Sequence, residues 1–451
     1  MTPLRLRAAL QCGVLALLLL TPLPYGSVQP GAVLAIELTA AALGLATILL
    51  IGRDENAAAA VPKVPLAICA GVIALGILQL APLPFSIAEK FNPTADLVRP
   101  LIPYLSPDHP PAVSWSVAAA ETTNALLRFV AYVLIGLAAA VAFDTERSRH
   151  RFTLVLVTTA VFQAAYGSGE YLTGRQHIFG FAKQYFLESA TGTFINRNHF
   201  ATLLAIALPF ALTLAIPRHG TRHKLGWRER LVRLSKGPEL WRLSAVLASA
   251  LLWMGLLLSQ SRAGLFAALA GAAIVLFHFR GTRAARWTAA IGTGVLLVLL
   301  TLEVALAPGE RFFNVKYDLG ERGGRLTVWR DSLSLVHARP VLGWGFGTFE
   351  SAFPMVRSEG IEKLYDHAHN DWVEWTTEGG ALALLAAATL LALALRRGDT
   401  ASKAALAAVT LHAVWDFSLR IPAAAVATAA TMGLGYAAYA AATTSSQAIW
   451  R

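Results

Sequence analysis

The sequence predicts an all-α, polytopic membrane protein of about 12 transmembrane helices, and three observations predict it. First, hydrophobic residues make up 56% of the 451 and charged residues only 14%, whereas a soluble globular chain is about one quarter charged. Mean hydropathy is accordingly +0.54. Second, the apolar residues gather in long runs such as 243–258 and 287–306. Crossing about 30 Å of hydrocarbon takes roughly 20 mostly apolar residues, which these runs approach or reach. Third, the basic residues fall into alternate connections, as the chain of a multi-pass membrane protein requires.

Taken in order, the spans lie near 8–23, 31–52, 64–82, 122–143, 152–168, 198–216, 243–259, 263–279, 287–307, 371–395, 402–415 and 422–443. With both termini cytoplasmic, 22 of the 38 basic residues fall in inner segments. Eight of the others lie in one long outer loop, 308–370. Long loops cross regardless of charge, so the short-loop bias sets the orientation. The net charge of +11 is therefore an orientation signal and no evidence for nucleic acid. The first stretch, with Arg5 and Arg7 ahead of a short apolar run, is followed by TPLPYG and not by a small-residue cleavage site, so it reads as a span. Cys12 and Cys69 both fall inside spans, which leaves no disulfide framework.

Residues 1–451 thus read as one transmembrane domain, with the outer loop 308–370 carrying the richest chemistry. The outer loop 83–121 is proline-rich and reads as irregular. The inner loop 217–242, with its WRERLVRL stretch, reads as lying on the anionic inner leaflet. Within 308–370, GGRLTVWRDSLSLVHARP reads as a short helix opened by glycines and stopped by Pro340. Its spacing puts Trp329, Leu333 and Val336 on one stripe and Arg330, Ser334 and His337 on another. GWGFG, 343–347, reads as a flexible turn. It lacks the strand and the Lys of a nucleotide phosphate loop.

The stretch DHAHNDWVEW, 366–375, concentrates titratable groups at the entry to a span. If its helix begins near Asp366, then His367, Asp371, Glu374 and Glu378 share one face about two turns deep. Carboxylates at that depth are costly and face a cavity or a partner, so a polar cleft outweighs a merely capped helix start. The H-x-H-x-D spacing of His367, His369 and Asp371 is one that metal hydrolases use, but no second His/Asp cluster accompanies it in the outer loops. Arginines are the second signal. Arg262 sits in the tight outer turn SQSRAG, and Arg311, Arg322, Arg325, Arg330 and Arg339 crowd the outer loop. Arg binds phosphate bidentately and is always charged, so the group suggests an anionic substrate; Arg339 and Arg357 read as interfacial anchors. TGTFINRNHFATLL places Asn198 and His199 at the start of the sixth span, and HAVWDFSLRIP puts Asp416 and Arg420 in the last outer turn, with Asp416 as a partner for an Arg.

TGTFINRNHFA, SQSRAG, GGRLTVWRDSLSLVHARPVLGWGFGTF, HAHNDWVEWTTEGG and HAVWDFSLRIPA, in this order, resemble the O-antigen ligase family, which includes O-antigen polymerases and protein O-oligosaccharyltransferases. The resemblance covers roughly residues 190–425. It implies a GT-C-like, metal-independent glycosyltransferase without cofactor, in the bacterial inner membrane with its active site facing the periplasm. It implies a donor glycan on undecaprenyl pyrophosphate and, for a ligase, a lipid A–core acceptor. The family's essential His-Asn pair falls on His369 and Asn370, its loop arginine on Arg325 and its short-turn arginine on Arg262. Where ligases continue with a G-x-x-G-T-T-like run, this chain reads Gly379, Gly380 and then ALALL.

The residues suit that chemistry. A polyprenyl pyrophosphate leaves readily once its charge is neutralised, a task for convergent Arg, and a sugar hydroxyl benefits from a positioned base. His369 is then the base or acceptor-orienting group, and Arg325 and Arg262 hold the pyrophosphate, with Arg322 and Arg330 as further candidates. Asn370, Asn198, His367 and Asp371 complete the expected substrate site. Direct displacement would invert the anomeric centre. A polymerase taking a second lipid-linked repeat is the alternative; a lipid-linked sugar transporter and a metallohydrolase built on HAHND are the competing classes.

Overall fold

Proline and short polar side chains open most of the helices among the described residues, because the first N–H groups of a helix need an acceptor or no donor at all. A computed structural model describes residues 1–88, 90, 113–216, 237–280, 324–359, 361 and 364–449. Its main helices are α1 (Pro3–Leu20), α2 (Pro30–Ile51), α3 (Lys63–Leu80), α4 (Ala119–Ala142), α5 (Glu146–Leu172), α6 (Arg197–Ala215), α7 (Pro238–Leu258), α8 (Arg262–His278), α9 (Arg325–Ala338), α10 (Asp371–Arg397), α11 (Thr400–His412) and α12 (Pro422–Ile449). Asn196 caps α6, Ser261 caps α8 and Asp399 caps α11 through side-chain oxygens, while Thr145 and Ser148 form a capping box on α5. Strand structure among the described residues is confined to two small antiparallel pairs, Pro82–Leu83 with Val113–Ser114 and His177–Ile178 with Phe181–Ala182.

The chain is a polytopic all-α membrane protein. Eight of the described helices, α1 to α7 and α10, are long and apolar enough to cross a membrane, against the 12 expected. Three further expected spans coincide with α8, α11 and α12; the span at 287–307 lies outside the described residues, as does the WRERLVRL stretch. Helix α6 runs through the middle of the bundle, with 83% of its apolar window buried and α5, α7, α8 and α11 against it. Lipid supplies no hydrophobic drive between helices, so close approach through small residues does much of the packing. Gly271 of α8 lies against Ala404 and Ala408 of α11, and Gly433 of α12 against the backbone of Gly136 in α4.

Helix α10 is broken at Gly380, which adopts φ 64° and ψ −163°. The GWGFG segment docks into the break and is not a flexible turn. Trp344 N–H donates to the Thr377 carbonyl at 3.0 Å, Gly345 N–H to the Glu378 carbonyl at 2.9 Å, and Ala381 N–H to the Pro340 carbonyl at 2.8 Å. Gln79 of α3 ties both sides together, donating to the Leu342 carbonyl at 2.6 Å and the Glu378 carbonyl at 2.9 Å. Gly343, Gly345 and Gly347 all have positive φ, which lets the backbone lie this close.

Helix α9 forms as the spacing predicts, opened by Gly324 and ended before Pro340, but its buried face is Val328, Asp331, Ser332 and Leu335. The predicted Trp329–Leu333–Val336 stripe is displaced by one residue, and Leu333 is exposed. The reason is Asp331, which turns inward to accept from the Ser358 N–H at 2.9 Å and hydroxyl at 2.7 Å. Arg339 is likewise no interfacial anchor. It is buried, stacked 4.0 Å from the Trp344 ring centroid and 4.9 Å from that of Trp115, and burial lowers its pKa to about 10.

Gly380→Ala is expected to lower the Tm of the purified protein by several degrees. The substitution meets a positive-φ backbone with ψ −163° that essentially only glycine adopts, costing about 1–3 kcal/mol, and its Cβ meets the Val341 carbonyl. An unchanged Tm in a thermal-shift assay would contradict the docked break.

Candidate active site

His369 has a left-handed backbone, φ 50°, and the next residue, Asn370, is extended at φ −161°. The Asn370 side-chain oxygen accepts from the N–H groups of Trp372 at 3.0 Å and Val373 at 3.1 Å. These two residues start α10 at Asp371, not near Asp366 as the spacing suggested. The expected polar face nevertheless assembles. His367, still ahead of the helix, meets Glu374 through Nδ1 and Oε1 at 2.8 Å, and Ala368 N–H donates to the other Glu374 oxygen at 2.9 Å. Asp371, Glu374 and Glu378 are all buried.

Arg420 answers the carboxylates. Its Nε lies 3.2 Å from Glu374 Oε1 and its Nη2 2.5 Å from Glu378 Oε2. Asp371 accepts from the Leu419 N–H at 3.1 Å, and its own N–H reaches the carbonyls of Ala413 at 2.8 Å and Asp416 at 3.2 Å. Removing one member of such a buried pair typically costs about 3–5 kcal/mol, because the remaining charge is left uncompensated. The 413–420 segment is therefore held to the start of α10 by charge and by backbone together.

That segment also presents Asp416 to His369. With Nδ1 protonated, His369 donates to Asp416 Oδ1 at 3.3 Å; Asp416 is fully buried, while the His369 side chain remains 25% exposed. His199 of α6 approaches the second Asp416 oxygen at 3.9 Å. Burial alone would raise the Asp416 carboxyl, but the His369 hydrogen bond and the neighbouring imidazoles hold it well below the ordinary carboxylate range. The expected Arg partner of Asp416 is thus replaced by histidines. Phe417 completes the cluster: His367 stacks on it at 4.1 Å, and His199 and His369 meet it edge-on at 4.9 Å.

Arg325, the first residue of α9, donates through Nη1 to the Trp415 carbonyl at 2.8 Å, so it is anchored one residue from Asp416. Trp329 fixes the same helix to the histidine loop by donating to the Ala368 carbonyl at 2.8 Å. Arg262 opens α8 beside its cap Ser261, whose hydroxyl donates to Asn198 Oδ1 at 2.8 Å. Asn198 in turn precedes His199, so Arg262 is joined to Asp416 through the start of α6. Arg330 is exposed on α9 and is not brought to this cluster. Arg322 lies outside the described residues. His367, His369 and Asp371 do not converge on a common point: they face Glu374, Asp416 and the Leu419 backbone respectively.

Asp416, Arg420, His199 and Phe417 are the members that sequence reasoning did not place in the site. HAVWDFSLRIP does carry a signal, since Asp and Arg flank an aromatic residue in a turn between spans, but nothing local to it names their partners. Among known proteins, residues 247–388 match the family model described as O-Antigen ligase. That stretch contains Arg262, Arg325 and His369 and ends before Asp416 and Arg420. No curated protein matches the chain.

The His367–Glu374 pair makes a pH prediction. Burial opposes the charged imidazole, yet the Glu374 carboxylate outweighs it and raises His367 above its ordinary value of 6.5. The stability so contributed is fully present below 6.5 and is lost as pH rises through the elevated value. Tm of the wild type should therefore fall more steeply from pH 6.5 upward than Tm of His367→Gln; parallel profiles would contradict the pairing.

Proposed function

We propose, from the match of residues 247–388 to the O-Antigen ligase family model, that the chain transfers a glycan from undecaprenyl pyrophosphate to an acceptor hydroxyl at the periplasmic face of the bacterial inner membrane. The observation that carries the reading is the partly exposed His369 held through Nδ1 by a buried Asp416. A carboxylate in that position fixes the tautomer, leaves Nε2 to take a proton and stabilises the imidazolium that results. The acceptor oxygen attacks the anomeric carbon, its proton passes to His369 Nε2, and the bond to the pyrophosphate oxygen breaks. Configuration inverts in this single displacement. Arg325, already steadied by the Trp415 carbonyl, and Arg262 take the charge on the departing pyrophosphate. No metal or cofactor enters the scheme. On this reading the outer loop 308–370 carries the catalytic chemistry, supplying His369 and Arg325, within a single transmembrane domain.

Ligase-type transfer to lipid A–core is favoured over polymerisation. A polymerase handles two polyprenyl pyrophosphates and calls for two arginine clusters, whereas the basic residues of the outer segments concentrate in one loop. A deletion strain should then lack polymer on lipid A–core while accumulating long lipid-linked chains. Core capped with single repeats would make the protein a polymerase, and unchanged surface glycan would remove both readings.

His369→Ala should abolish transfer with membrane abundance intact. Asp416→Asn should lower kcat by about 100-fold or more, with a smaller change in KM, since general-base assistance contributes about 10²–10⁴. Arg325→Lys should lose most activity despite its retained charge if the pyrophosphate is gripped bidentately; full rescue by Lys would shift that role to Arg262.

A further inference from the structure

The Asp416 carboxylate has two oxygens, and the transfer scheme uses one. Oδ1 meets His369 Nδ1 at 3.3 Å, whereas Oδ2 faces His199 Nε2 at 3.9 Å. The Asp416 side chain is fully buried and that of His199 is 7% exposed. Neither Oδ2 nor His199 Nε2 has a hydrogen-bond partner among the described residues. Buried polar atoms without partners are rare, and these two face each other. Their separation is about 1 Å longer than a charge-assisted N–H to carboxylate bond of about 2.7–2.9 Å.

The approach is held by a helix and not by a loose loop. His199 lies in the first turn of α6, which Asn196 caps. One turn on, the Thr202 hydroxyl stands 2.7 Å from that of Ser418, two residues beyond Asp416. His199 and Thr202, on one face of α6, thus meet Asp416 and Ser418 on the turn. Between those two, Phe417 receives the His199 ring edge-on at 4.9 Å. His412 of α11 is also buried, but hydroxyls occupy it: its Nδ1 lies 3.1 Å from Ser418 Oγ and 3.2 Å from Thr202 Oγ1. The other ionisable groups around the imidazoles and Asp416 are His367 and Tyr365 of the histidine loop, Asp371 of α10 and Arg325 of α9. Of these, His367 is engaged by Glu374, Asp371 by the Leu419 N–H and Arg325 by the Trp415 carbonyl. His199 is the group aimed at Oδ2.

We infer that His199 is a positioning residue for the His369 base: as the Nε2–H tautomer it donates to Asp416 Oδ2 and helps keep His369 in its neutral, proton-accepting form. His199 touches neither the glycan donor nor the acceptor; it acts through the carboxylate. A hydrogen bond to an ionised carboxylate favours that ion, and a carboxylate whose charge is shared with a second donor pulls less strongly on an imidazolium. The donation is therefore worth most while His369 is neutral. The inference rests on the glycan-transfer reading for what His369 does and deepens it by assigning the second oxygen of Asp416.

The test follows His369 itself in the purified full chain in phosphatidylcholine nanodiscs. Diethyl pyrocarbonate modifies neutral imidazoles, and peptide mapping reads its rate at the partly exposed His369 as a function of pH. His199→Met removes the donor, and His199→Gln keeps one on a side chain of similar length. The pH of half-maximal modification should rise by about 0.5–1 unit in His199→Met, the size set by one hydrogen bond to a charged group, and stay at the wild-type value in His199→Gln. The acid limb of kcat/KM for glycan transfer should move in parallel, while kcat on its plateau changes by less than about ten-fold, against about 100-fold for Asp416→Asn. In an Asp416→Asn background, His199→Met should leave His369 unmoved, because the effect runs through that carboxylate. Should His199→Met not fold, His199→Phe, which keeps a ring against Phe417, is read in its place. An unmoved or lowered half-maximal pH without the donor, failure of Gln to restore it, or an equal shift in the Asn background would overturn the inference and leave His199 a packing residue. Modification needs no turnover. The expected shift in a protein that transfers no glycan therefore refutes the transfer reading, whereas an active protein with His369 unmoved refutes only the role of His199.

Discussion

Three carboxylates on one face of a membrane-spanning helix have to be answered by partners, and the structure around α10 is organised by that need. Asp371, Glu374 and Glu378 are all buried, where an isolated charge is costly. Arg420 bridges the two glutamates, and the Leu419 N–H meets Asp371. Both come from the turn between α11 and α12, so a connection far along the chain is drawn to the start of α10. His367 answers Glu374 from the other direction. Electrostatic compensation thus brings together two segments that packing alone would have no reason to pair.

The reactive pair follows from this arrangement. The same turn that carries Arg420 carries Asp416, and the same loop that carries His367 carries His369. Once the first pair is fixed, the second is placed. Arg325 is added through the Trp415 carbonyl, again within that turn, and α9 is steadied by Trp329 on Ala368. Beneath them, the GWGFG segment occupies the break at Gly380 and holds α10 in two parts. The break also accounts for the glycines that depart from the G-x-x-G-T-T-like run: Gly380 is required by its positive-φ backbone beside the Val341 carbonyl.

Much of this was legible in the sequence, and the remainder was hidden for identifiable reasons. Apolar runs and the alternation of basic residues predict a multi-pass helical protein, because length and hydropathy are local quantities. The face of His367, Asp371, Glu374 and Glu378 was legible from spacing, although the helix begins five residues later than expected; the left-handed His369 and the cap Asn370 have no counterpart in a periodicity argument. The α9 stripe came out one residue wrong because an inward-facing Asp331 has a partner, Ser358, that the pattern cannot reveal. Asp416 was visible as an unusual acid, but its pairing with His369 spans 47 positions, and pairings at that distance are decided by tertiary structure. Arg330 was a further candidate beside Arg325, and of the two it is Arg325 that reaches the Asp416 turn.

The most direct measurement of the central claim is glycan transfer by the purified protein, supplied with a lipid-linked glycan donor and a lipid A–core acceptor, in excess EDTA and without nucleotide or ion gradient. Covalent transfer by the wild type is expected, with release of undecaprenyl pyrophosphate, and transfer reduced by about 100-fold in Asp416→Asn. Movement of intact donor across the bilayer without covalent transfer, or full activity in Asp416→Asn, would contradict it.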